Sequence, residues 1–246
     1  MKTLFYATGL LAVSMPLLVS AQQPAVLTQN LAIKYMRDSQ EYATLARQVY
    51  RAAEQMVRTA AAALPQGSWV VSLDVDETAL DNSPYQLERE AYRLPVDVTS
   101  FNAWAARRQA AAIPGAAAFV LTVHQLGGSV AWISNRDVQT LEATRANLTA
   151  LQLWGDQDRL CLQAQTTPKP TKRMRRSEVS TGQGGCSWPG TRMRFIAFVG
   201  DQMGDFPEPD EGIPDAGTDL AFGRTCFLLP QAMYGEWVTR VTRTMP

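Results

Sequence analysis

Residues Trp69 to Ser83 constrain this chain more than any other stretch. Trp69-Val70-Val71-Ser72-Leu73 is a short, largely apolar run with a β-branched bias, and it leads straight into Asp74-Val75-Asp76-Glu77-Thr78. A run of that length, ending in a polar turn, predicts a buried strand of a parallel sheet. In open α/β sheets, ligands bind beyond the carboxyl ends of the strands. Asp74 and Asp76 are therefore expected at the mouth of a site, two residues apart. There Asp74 is suited to attack an electrophile and Asp76 to hand a proton to a leaving group. One acidic pair after one strand equally suits a solvated turn, so the rest of the chain has to decide.

Two later segments repeat the pattern. Ser129-Val130-Ala131-Trp132-Ile133 predicts a strand ending in Ser134-Asn135-Arg136, where a hydroxyl and an amide suit the oxygens of an anion. Arg194 to Val199 predicts another, running into Gly200-Asp201-Gln202-Met203-Gly204-Asp205. Carboxylates clustered in this way suit Mg²⁺. Shorter strands are expected at Leu160–Leu162 and Thr225–Leu229. Roughly 55 residues separate the first two strands, more than a simple crossover needs. Helical stretches broken at Pro95 and Pro114 fill that interval, and the surplus predicts a small helical cap.

The helices read from capping and spacing. Asp38-Ser39-Gln40-Glu41 resembles a capping box, and apolar residues from Tyr42 to Ala60 follow at helical spacing until Leu64-Pro65-Gln66-Gly67. The segment before it, from Gln22, is weakly patterned. Thr99 or Ser100 is expected to cap a helix holding Phe101 and Trp104, and Ala116–Leu126 and Asp137–Leu153 read as further helices. The basic run Pro168 to Arg176 reads as a solvated helix face, with a single lysine turned into an anion site as the functional alternative. The acid-rich stretch 207–219 reads as a solvated loop.

The start of the chain looks like an export signal: Lys2, a mostly apolar Leu10–Val19, then Val19-Ser20-Ala21 before a cut after Ala21. The apolar run is too short to span a membrane. Export to the periplasm or beyond is expected, with residues 1–21 removed and 22–246 forming the mature chain without an anchor. Cys161, Cys186 and Cys226 then allow one disulfide and leave one thiol over, with the pairing open. Lys plus Arg and Asp plus Glu are balanced at 23 each, which gives no reason to expect a nucleic-acid polymer or a membrane surface as partner. The single histidine, His124, excludes multi-histidine metal sites, and any hydrolysis is expected to run on carboxylates.

Taken in order, these strand-end motifs resemble one family. They are Leu73-Asp74-Val75-Asp76-Glu77-Thr78 with Leu80-Asp81-Asn82-Ser83-Pro84-Tyr85, then Ile113-Pro114-Gly115-Ala116 and Ile133-Ser134-Asn135-Arg136. Lys172, Val199-Gly200-Asp201 with Asp205-Phe206, and Leu229-Pro230 with Tyr234-Gly235-Glu236-Trp237 complete the set. The chain resembles the haloacid dehalogenase (HAD) superfamily and, within it, the class C acid phosphatases, which include bacterial lipoprotein 5′-nucleotidases.

The resemblance implies an α/β fold: a Rossmann-like core, with a parallel sheet flanked by helices, and a small helical cap. The cap is expected from about 84–112, with the helix 38–64 as a candidate addition. It implies a Mg²⁺-dependent phosphomonoesterase acting on phosphate monoesters, nucleoside 5′-monophosphates above all. Asp74 is then the nucleophile that forms an aspartyl-phosphate, and Asp76 the general acid and later base. Ser134, Asn135 and Lys172 hold the phosphoryl oxygens, and Lys169-Pro170 competes with Lys172 for the motif lysine. Mg²⁺ is held by Asp74, the Asp76 backbone carbonyl and Asp201, with Asp205 behind them, while Phe101 and Tyr234 border the base of the substrate. The chain departs from the lipoprotein members in lacking a cysteine at the cleavage site, in having Gly204 where many relatives are acidic, and in a longer 180–190 loop. The alternative reading is an inactive relative serving as an exported binding or storage protein. Dehalogenation is disfavoured by Asp76. A homo-oligomer is compatible with everything above.

Overall fold

The computed structural model describes residues 30–239, so the expected export signal and its cleavage site lie outside the described residues. In chain order the elements are α1 (Leu31–Asp38), α2 (Gln40–Ala61), β1 (Trp69–Leu73), β2 (Leu80–Asp81), α3 (Ser83–Ala91), α4 (Val98–Arg107), β3 (Ala111–Ala112) and α5 (Ala116–Gln125). They continue with β4 (Ser129–Asp137), α6 (Leu141–Ala150), β5 (Arg159–Gln163), α7 (Lys172–Thr181), β6 (Arg194–Gly200) and β7 (Cys226–Leu228). Five of the strands form one sheet in the order β5-β4-β1-β6-β7, with every pair parallel.

All five residues of β1 are buried, because helices cover both faces of its sheet. Alternate side chains divide between two cores. Val71 and Leu73 with Val130 and Trp132 pack against Tyr50, Val57, Phe119 and Val123 from α2 and α5. Val70 with Ala131 and Ile133 packs on the other face against Val179 of α7 and against Cys186, Trp188 and Met193. The chain builds outward from β1 through β4 to β5, then crosses back to lay β6 against the free side of β1. Reversals of that kind open a crevice at the strand ends, here between β1 and β6.

Several expectations are corrected in detail. The segment taken as weakly patterned begins, within the described residues, with α1, whose N-terminus is capped by Asn30 and which buries only Ile33 and Met36. Ser39, not Asp38, caps α2, its hydroxyl accepting from the Tyr42 amide. Asp97, not Thr99 or Ser100, caps α4, its carboxylate accepting from the Ser100 amide. Asp137 closes β4 and also caps a 3₁₀ turn, Val138–Thr140, that runs into α6 at Leu141. The two-residue pair β2–β3 is antiparallel and was not foreseen. All three cysteines are buried, and none is bonded to another. Cys161 and Cys186 lie side by side, the Cys161 thiol 3.9 Å from the Cys186 carbonyl. His124 bonds to buried Asp158 at 3.0 Å, a packing role.

The basic run departs furthest from expectation. Arg175 and Arg176 are each about 2 % exposed, so they do not form a solvated face. Arg175 donates to the carbonyls of Ser134 and Cys161 and to Asn135 Oδ1, tying α7 to the ends of β4 and β5. Arg176 makes a two-pronged ion pair with Glu211. Buried guanidinium groups need this many acceptors, because leaving one unpaired is strongly destabilising.

Candidate active site

The carboxyl ends of β1, β4 and β6 open onto a cavity of about 600 Å³ lined by Asp74, Asp76, Phe101, Ser134, Asn135, Lys172, Asp201 and Tyr234. Every site residue expected from the sequence except Asp205 lines it, and Asp205 stands directly behind.

Asp74 follows β1, and its backbone N–H donates to the Val199 carbonyl of β6, so the strand pairing itself sets its position. Its Oδ1 accepts from Lys172 Nζ at 2.5 Å, and the same ammonium donates to Asp205 Oδ1. Lys172 is the first residue of α7, held there by the Thr171 cap. Lys169 is exposed and lines an adjoining cavity instead, so Lys172 is the lysine that meets the carboxylates. Asp205 spends its other oxygen on the Asp201 and Gln202 amides, which folds the turn after β6. That turn requires Gly200, because a Cβ there would lie 2.3 Å from the Asp205 carboxylate. Asp201 accepts from Thr78 Oγ1 at 3.1 Å and from Gln202 Nε2 at 2.8 Å. Gln202 also accepts from the Glu236 amide, which brings the segment carrying Tyr234 to the rim.

Asp76 is treated differently. One of its oxygens, Oδ1, accepts from Arg136 Nε and Nη2 at 2.9 and 2.7 Å and from Asn82 Nδ2 at 2.8 Å. The turn that presents it is tight: Glu77 sits at φ 54°, and the Thr78 carbonyl accepts from the Tyr50 hydroxyl at 2.7 Å. Ser134 is buried, its Oγ accepting from the Arg136 amide, and exposed Asn135 is steadied by Arg175. Phe101 contacts the Tyr85 ring edge-on, with the Arg136 guanidinium 5.5 Å from its centroid. Trp104, three residues on, is buried, whereas Trp237 is half exposed. Arg136, Asn82 and Gln202 were not singled out from sequence as holders of the acidic residues. Arg136 and Asn82 lie within the quoted motifs, Asn82 six residues from Asp76 and Arg136 60 residues from it.

The electrostatics favour a cation. Oxygens of Asp74, Asp201 and Asp205 lie within 4.8 Å of one another, all three residues buried. Burial pushes the Asp74 carboxyl up to about 6, with Asp205 and Asp76 adding to the rise and Lys172 opposing it. Burial, together with Asp74 and Asp205, holds Asp201 well above the ordinary carboxylate range. Burial works to lower Lys172, but the two carboxylates outweigh it and hold the ammonium above its usual value. One lysine therefore faces three crowded carboxylates. An all-oxygen set with surplus negative charge fits a hard divalent ion, and among the described residues this is the only such cluster.

Comparison with known families agrees. The sequence profile of HAD superfamily, subfamily IIIB (acid phosphatase) matches residues 6–237. The chain belongs to this acid phosphatase family. The fold is shared with the class C acid phosphatase from Bacillus anthracis, at 22 % identity and a TM-score of 0.70 over 87 % of this chain and 90 % of that one. The same protein with tungstate bound gives 24 % identity and a TM-score of 0.69 at the same coverage. As a HAD phosphatase the chain is a hydrolase of the kind that generally uses a divalent metal, and its buried aspartates are the donors available for one.

Proposed function

We propose that this acid phosphatase hydrolyses phosphate monoesters through an aspartyl-phosphate on Asp74, with Mg²⁺ as its ion and nucleoside 5′-monophosphates as its preferred substrates. The observation that carries this reading is the convergence of Asp74, Asp76, Ser134, Lys172 and Asp201 on one cavity. Asp74 attacks phosphorus. Ser134 Oγ, the Asn135 amide group and Lys172 hold the phosphoryl oxygens. Asp76 protonates the departing alcohol and then takes a proton from the water that opens the acyl-phosphate. Asp74 and Asp201, with the Asp76 carbonyl, would hold Mg²⁺, and Asp205 keeps Lys172 and the β6 turn in place. When bound, the ion supplies positive charge against the phosphate dianion and the incoming carboxylate. That one relative was crystallised with tungstate, a tetrahedral oxyanion like phosphate, supports the reading. The intact pair Asp74 and Asp76 speaks against an inactive binding or storage protein.

The cap of this proposal is α3 and α4 with the 95–98 segment, since α2 packs on the sheet beside α5 and belongs to the flanking layer. Val96, Val98, Phe101 and Met233 give the cavity an apolar wall beyond the acidic floor, and Tyr234 faces the same space. A base stacked there gains about 1–3 kcal/mol per ring while being poorly discriminated from other bases. Phe101 already meets Tyr85 and Arg136, so Tyr234 is the cleaner probe. Tyr234→Ala is expected to raise KM for AMP roughly tenfold and to leave glycerol phosphate hydrolysis nearly unchanged. Equal losses on both substrates would assign Tyr234 to packing and leave a broad-specificity phosphatase.

The export reading carries its own test. N-terminal sequencing of secreted or periplasmic material is expected to begin at Gln22. An intact Met1 on membrane-bound protein would reject it.

A further inference from the structure

We infer that Arg136 and Asn82 are positioning residues that select which oxygen of Asp76 carries the transferred proton, and that Trp104 on α4 joins Arg136 in setting the orientation of Asn82. The inference rests on the acid role given to Asp76 above. Three N–H groups converge on Asp76 Oδ1, two from Arg136 and one from Asn82. Among the described residues none donates to Oδ2. A carboxyl oxygen has two in-plane lone pairs. With three donors already on Oδ1, a proton on Asp76 has its place on Oδ2. Asp76 therefore acts from a single atom. As the Asp74 carboxylate bonds to phosphorus and the ester P–O bond breaks, the Oδ2 proton passes to the ester oxygen. Asp76 is left as a carboxylate, its charge met by the Arg136 guanidinium.

The holders are themselves held. Arg136 is 3 % exposed, and its Nη1 donates to Thr144 Oγ1 at 3.1 Å. Asn82 is fully buried, and its amide has two ends that only the hydrogen-bond network distinguishes. Trp104 Nε1–H donates to Asn82 Oδ1 at 2.8 Å, and Arg136 Nη2 reaches the same oxygen at 3.3 Å. Indole and guanidinium N–H groups are donors only, so together they oblige the amide oxygen to face them and the amide nitrogen to face Asp76. A helix of the substrate-facing wall thus helps to specify the proton donor through one amide.

The test is leaving-group dependence read in kcat/KM, which reports phosphoryl transfer to Asp74 and not the later hydrolysis. p-Nitrophenolate leaves with little help from a proton, whereas the alkoxide of glycerol phosphate needs one. Arg136→Lys keeps the charge and loses the fork. It is expected to cut kcat/KM on glycerol phosphate about a hundredfold and on p-nitrophenyl phosphate no more than about threefold, within the range of a general acid's contribution. Trp104→Phe keeps the ring and removes the nearer of the two donors to Asn82 Oδ1, with the same selective loss at about tenfold. Asp76→Asn, run alongside, calibrates the signature. If Asp76→Asn is selective but Arg136→Lys and Trp104→Phe depress both substrates alike, or neither, the positioning inference is overturned and the acid role stands. If Asp76→Asn itself is unselective, the acid role fails and takes the inference with it. Should Arg136→Lys not fold, Trp104→Phe decides alone.

Discussion

Replacing Asp74 with Asn will abolish phosphate release while the protein stays folded. Uncatalysed hydrolysis of phosphate monoesters is among the slowest reactions that enzymes accelerate, so no background reaction hides the loss. Removing the nucleophile of a covalent mechanism costs on the order of a millionfold in kcat. The substitution is isosteric and takes one charge out of a buried group of three carboxylates. Lys172 keeps its bond to Asp205. The melting temperature is therefore expected to be unchanged or higher, measured by circular dichroism on the same preparation used for phosphate assays. Near-normal turnover in Asp74→Asn would reject the aspartyl-phosphate.

Exhaustive chelation is expected to have a comparable effect, and Mg²⁺ to reverse it. The reason lies in the charge count at the β1–β6 crevice, where Asp74, Asp201 and Asp205 share Lys172 as their cation. A phosphate dianion entering such a site meets repulsion that one ammonium does not offset. The same surplus charge predicts a readout independent of turnover. At a hundred times its dissociation constant, a ligand that binds only the folded state stabilises it by about 2.7 kcal/mol. For a chain of this size that corresponds to a rise of roughly 5–10 °C in melting temperature. Asp201→Asn should lose most of that rise. Full activity after EDTA treatment, with no thermal response to Mg²⁺, would remove the ion from the mechanism.

What could be read in advance follows a physical division. The strands at Trp69–Leu73, Arg194–Val199 and Ser129–Ile133 announce themselves because strands buried on both faces must be apolar throughout. Asp74, Ser134 and Asp201 could be found because strand ends in such sheets face ligands. The misreadings concern residues whose meaning depends on distant partners. Arg175 and Arg176 look like a solvated face until the β4 carbonyl of Ser134 and the carboxylate of Glu211 are seen beside them. Arg136 reads as a turn residue until Asp76, 60 positions earlier, is seen to need it. The β2–β3 pair is too short to show any periodicity, and α1 buries too few side chains to stand out. Cap choices slipped by one to three residues, since Asp38, Ser39, Asp97, Thr99 and Ser100 all have side chains able to cap.

The crossing of the chain from β5 back to β6 also dictates when the site can exist. Lys172 lies 98 residues from Asp74, and Asp201 lies 123 from Thr78, so no local segment joins the nucleophile to the lysine and carboxylates that face it. Loop-closure entropy makes pairings of that span late and slow events in folding. An unfinished chain thus carries Asp74 and Asp76 apart from Asp201 and Asp205. The repulsion between the two pairs arises only at the step that docks β6 against β1 and brings Lys172 to Asp74. Chemistry here is an all-or-none property of the completed sheet, absent from every shorter intermediate.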